Sequence, residues 1–156
     1  MNLFQVIKFF LKSLLYFYMN FIHVINTCFK KYSIFKGRAN REEYWYWRLF
    51  EFFVAYASFR LDQIIFEKSS GSFSLFVFFI TFLPGISVSV RRLHDLDKSG
   101  WWLLLPFVGI FFFFFTKMTN MSIILTNMSI SFSAISFLIL LFWFVSPGTK
   151  GENRFG

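Results

Sequence analysis

The residues able to do chemistry crowd into one stretch, Val90 to Trp102, where Arg91, Arg92, His94, Asp95, Asp97 and Lys98 stand between long apolar runs. His94, Asp95 and Asp97, joined by Glu42 or Glu43, are ligand types for a divalent metal. Their spacing matches no known His and carboxylate metal motif such as HExxH, and acids flanked by Arg91, Arg92 and Lys98 are more simply ion-paired. His94 beside Asp95 or Asp97 has the makings of an acid–base pair. Neither Ser99 nor Cys28 stands in an evident nucleophile setting, so a hydrolase has no attacking group. No catalytic residue, metal ligand or cofactor is expected, and a non-enzymatic protein is the stronger reading.

The elements that hold this stretch are read from composition. Of 156 residues, 56% are hydrophobic, 25% aromatic and only 15% charged, a balance that belongs to a membrane protein. The net charge of +8 raises a nucleic-acid partner. That partner is excluded because the basic residues flank apolar runs, as cytoplasmic loops do, and form no face of their own. Cys28 is alone, which rules out an internal disulfide and CxxC-type sites. No short basic head or small-residue cleavage site marks a signal peptide, so the amino-terminal segment is expected to remain on the protein.

Between Gln5 and Lys30 the polar residues Gln5, Lys8, Lys12, Asn20, His23, Thr27 and Lys30 recur at helical spacing, with Tyr16 filling the one gap. The pattern predicts an amphipathic helix lying in the headgroup region over residues 1–34, ahead of a membrane domain over 35–156. The alternative is a true span over Ser13 to Phe29. Lys30 to Arg48 is the most basic segment and is placed in the cytoplasm by the positive-inside rule. Asn40 is a candidate cap for the helix that follows, with Glu42 and Glu43 in its first turn, where the helix dipole favours acids.

Four spans follow: Tyr44 to Phe66, Phe73 to Val90, Trp101 to Thr116 and about Met128 to Val145, with Lys117 to Asn127 as a loop. Arg60 to Gly71 reads as an outer loop. In a three-span version the third apolar segment is re-entrant. The first span carries a stripe in which Arg48, Glu51, Ser58 and Asp62 share one face, and such a stripe should point into the protein. Arg48 and Glu51 are three apart and can pair. On the second span, Thr81, Gly85, Ser89 and Arg92 form a small-residue seam, which offers Arg92 to Glu51. Pro84 should kink that helix. Both termini fall on the cytoplasmic side.

This topology gathers Arg38, Arg41, Glu43, Arg91, Arg92, His94, Asp95, Asn153 and Arg154 on one face as a polar cap. Planar guanidinium groups suit carboxylates and lipid phosphates alike. The expected partners are therefore anionic lipid headgroups, and after them a membrane partner protein or further copies of the chain. The alternative function is a small oligomeric transporter or channel that uses the Arg48, Glu51, Ser58 and Asp62 stripe as its path.

Three motifs stand in order: Gly37-Arg38-Ala39-Asn40-Arg41-Glu42-Glu43-Tyr44-Trp45, then Arg91-Arg92-Leu93-His94-Asp95 leading to Ser99-Gly100-Trp101-Trp102, then Pro147 to Gly156. Together they resemble the small bacterial inner-membrane proteins of the YhaH type, a family of unknown function, over Phe35 to Gly156. The resemblance implies an all-α integral membrane bundle of about four transmembrane helices in the bacterial inner membrane. It supplies no substrate or cofactor. It also implies glycine where Asp97 stands, and an insertion around Lys117 to Ser133.

Overall fold

The computed structural model describes residues 3–65 and 71–156. The expected outer loop at Arg60 to Gly71 falls partly on residues 66–70, outside the described residues. All regular structure among the described residues is helical, as the sequence predicts. α1 is Leu3–Lys30, α2 Arg41–Ile65 and α3 Ser72–Asp95; a 3-10 turn at Gly100–Leu104 leads into α4, Leu105–Met118, and α5 is Ile123–Val145. Three segments are long and apolar enough to cross a bilayer: Ser72–Asp95, Gly100–Met118 and Ile123–Val145. With 25 residues α2 has comparable length, but Arg48, Glu51, Arg60 and Asp62 interrupt its apolar surface.

The chain forms two compact units. The first joins Met1–Ile34 to Trp45–Val88, and the second joins Phe35–Tyr44 to Ser89–Gly156. In the first unit Trp47 and Cys28 are fully buried. The Phe29 ring meets Trp47 edge-on at 5.3 Å, and Tyr46 meets Phe17 in the same way at 5.3 Å. Edge-to-face contact is the arrangement that ring quadrupoles favour. Ser87, buried on α3, donates to the carbonyl of Ile34 at 2.6 Å, satisfying backbone just beyond the end of α1. Pro84 lies inside α3, which runs on through it.

In the second unit α4 and α5 form a tight hairpin. A Cβ on Gly109 would sit 2.8 Å from the backbone oxygen of Ser129 and equally close to Ser133, so only glycine lets the helices approach this far. Ser133 donates to the Pro106 carbonyl at 2.9 Å, and Thr126 to the Thr116 hydroxyl at 3.2 Å. Thr126, Ser129 and Ser136 are buried at spacings of three and seven on one face of α5.

Pro106 falls in the first turn of α4, where a missing N–H costs nothing. The loop expected at Lys117 to Asn127 shrinks to residues 119–122. Thr126 is polar but returns its hydroxyl to the Ser122 carbonyl at 3.4 Å, which lets it sit inside a helix. Gly109→Val should force the hairpin apart and cost about 2 kcal/mol. Thermal unfolding in detergent should show a fall of several degrees, whereas an unchanged midpoint would mean the close approach is not required.

Candidate functional site

An α-helix leaves the carbonyls of its last turn without intrahelical partners, and a helix that ends at a membrane boundary must find others. At the end of α3 nearly all of the polar cap is assembled around this need. The helix closes through Asp97, whose φ of 56° is left-handed. Its N–H meets the His94 carbonyl at 2.9 Å, while the Lys98 N–H reaches back to the Leu93 carbonyl at 2.9 Å. That pair of bonds is a Schellman ending. Other carbonyls are taken by distant segments. Ala39 N–H donates to Arg91 at 3.0 Å and Thr149 N–H to Asp95 at 2.8 Å. The Asn153 side-chain amide donates to His94 at 2.9 Å.

The side chains bind the same three segments. Asp95 is buried and accepts from Arg38 Nε at 2.9 Å on one oxygen and from Arg92 Nη1 on the other. Its carboxylate occupies the place where Gly148 would carry a side chain, which accounts for the glycine after Pro147. Arg38 spends its remaining donors on the carbonyls of Thr149 at 2.7 Å, Gly151 at 2.6 Å and Gly156 at 3.0 Å. Arg92 is wholly buried and donates to the carbonyls of Ser146 and Phe144, so it caps the end of α5.

Arg91 is equally buried and pairs with Glu43, while its Nε and Nη2 have no partner among the described residues. Arg154 holds Asp97 at 3.0 Å. Asn40 accepts from the Glu43 N–H at 2.7 Å and caps α2 as its type predicts. His94 lies parallel to Phe155 at 3.8 Å, with Nδ1 3.1 Å from the Gly37 carbonyl. A carbonyl only accepts, so Nδ1 carries the proton, and the ring is used in holding segments together. Arg41 is exposed and reaches the Val145 carbonyl at 3.4 Å.

Arg38, Arg41, Glu43, Arg91, Arg92, His94, Asp95, Asn153 and Arg154 are thus brought into one cluster within the second unit. The stripe residues Arg48, Glu51, Ser58 and Asp62 belong to the first unit. There Glu51 accepts from Arg48 at 2.5 Å and from the Trp47 indole at 2.7 Å, and Arg48 donates to the Gly85 carbonyl at 2.6 Å. The Arg92–Glu51 pair expected from the helix faces is therefore replaced by Arg92–Asp95 and Arg48–Glu51, because both acids find a cation three residues away on their own helix. Ser58 returns its hydroxyl to the Ala55 carbonyl at 2.8 Å. Asp62 accepts from the N–H groups of Phe73 at 3.0 Å and Ser74 at 2.8 Å, an N-cap for α3 supplied from α2. Thr149, Gly148 and Ala39 were not singled out from the sequence; two contribute through backbone N–H groups and one through lacking a side chain.

The extent of the match to one protein family decides the relationship. The family described as protein of unknown function DUF805 matches residues 32–156. The chain belongs to this family. Two similar relatives are proteins of Escherichia coli strain K12. One, named inner membrane protein YhaI, is 35% identical over 127 residues, which is 81% of this chain and 86% of the relative. The other, inner membrane protein YhaH, is 32% identical over 133 residues, covering 81% of this chain and 88% of its own length. No solved structure matches. With three bilayer-length apolar helices, this DUF805 chain is a helical membrane protein.

Asp95→Asn should be severely destabilising, by about 3–5 kcal/mol, because it takes the counter-charge from a buried arginine; a midpoint within a degree of wild type would refute the shared-carboxylate arrangement. At Asp97, left-handed backbone costs a side chain about 1 kcal/mol or more, against about half that for its exposed pair with Arg154. Asp97→Gly should hold or slightly raise the unfolding temperature in detergent, and Asp97→Ala should lower it.

Proposed function

We propose that this protein is a non-enzymatic module of the bacterial inner membrane, with both termini in the cytoplasm and a cap that holds anionic lipid headgroups. The observation that carries the reading is the charge balance of the cap. Arg38, Arg91 and Arg92 face two carboxylates, Asp95 and Glu43, and exposed Arg41 has no ion pair among the described residues. Guanidinium N–H groups left over at a membrane boundary are suited to phosphate oxygens. The names of the relatives support the inner membrane, and the basic segment from Lys30 to Arg48 supports a cytoplasmic cap.

The transporter reading draws less support. Arg48, Glu51, Ser58 and Asp62 each have internal partners, so the stripe serves as helix ties and helix capping before it offers a path. A protein partner would use the same cap cations and is an outcome of the same measurement. Purified protein offered equal phosphatidylglycerol and phosphatidylethanolamine should retain the anionic lipid preferentially in native mass spectrometry. A preference of about fivefold corresponds to one cation at the surface, and it should weaken as salt rises. Equal retention of the two lipids would overturn the lipid reading and leave a protein partner.

A further inference from the structure

Arg41, which has no ion pair among the described residues, stands at the head of an apolar track. Arg41 opens α2; it is exposed, and its Nη1 reaches the Val145 carbonyl at 3.4 Å. Glu42 follows directly, but helix neighbours one apart do not face each other. Below Val145, the side chains of Leu141 and Phe137 recur at intervals of four on one face of α5, and all three are exposed. Those eight residues descend about 12 Å from the cap.

The track ends in an open groove of about 390 Å³ between α4 and α5, lined by Pro106, Gly109, Phe113, Ser133, Ala134 and Phe137. Its polar groups are already used, since Ser133 donates to the Pro106 carbonyl at 2.9 Å. The groove thus presents hydrocarbon, with exposed Arg41 at the upper end of the track. A molecule complementary to both has an anionic head and an apolar chain.

We infer that one anionic glycerophospholipid binds here, its phosphate on Arg41 and one acyl chain laid along Val145, Leu141 and Phe137 into the α4–α5 groove. This rests on the reading of the cap as a surface for anionic headgroups and assigns that reading a defined site. The lipid would be held by charge at one end and by shape at the other, so the two ends are separable by mutation.

The test uses the full chain in detergent with equal phosphatidylglycerol and phosphatidylethanolamine, read by native mass spectrometry. Wild type should carry one phosphatidylglycerol. Arg41→Gln should lower the ratio of anionic to zwitterionic lipid about fivefold. Ala134→Phe, at an exposed position, should fill the groove and reduce the single-lipid adduct at least fivefold, with Ala134→Leu as the milder version if the larger ring disturbs folding. Arg60→Gln, exposed in the first unit, should change neither. If wild type prefers phosphatidylglycerol but Arg41→Gln and the Ala134 variants leave the adduct intact, the site is overturned and the broader cap reading survives. If wild type shows no preference, that broader reading fails first. Loss of a dimer peak in place of a lipid adduct would show that a second copy occupies the groove and would also overturn the site.

Discussion

Everything in the second unit depends on the open end of α3. A helix terminus at the edge of a bilayer exposes carbonyls that lipid cannot satisfy, and this one ends in a run of charge, Arg91 to Asp95, that lipid cannot accept either. Both problems have one solution. The residues 37–43 and 147–156 donate their backbone N–H groups, hydroxyls and amides to the carbonyls, and their charged side chains to the charges. The start of α3 is treated the same way by Asp62, so the helix is closed at each end by side chains from other segments.

Within the cap, Asp95 does the work of two acids. Its oxygens divide between Arg38 and Arg92, and each arginine carries on to carbonyls of the closing segments. A carboxylate with two guanidinium partners is well compensated even when buried.

Much of this was legible from residue types. The cap members, the capping role of Asn40 and the Arg48–Glu51 pair follow from spacing and charge alone. What spacing cannot give is the partner across a fold. Spacing offers Arg92 to Glu51, yet Asp95 is three residues from Arg92 and Arg48 three from Glu51, and both local pairs are formed. The start of α5 was hidden for a different reason. Thr126 looks like loop polarity, whereas its hydroxyl turns back onto the Ser122 carbonyl and lets the helix begin at Ile123. The backbone donors of Ala39 and Thr149 have no side-chain signature to read.

The reach of Arg38 has a consequence for how the molecule is made. It binds carbonyls 111 to 118 residues farther along the chain, so no part of that clasp can exist while the ribosome is still producing α4 or α5. Asp95 can meet Arg92 and Arg38 before then, while closure onto residues 147–156 waits for the search for distant contacts. The carbonyls of His94 and Asp95 thus receive Asn153 and Thr149 only after α5 has been made.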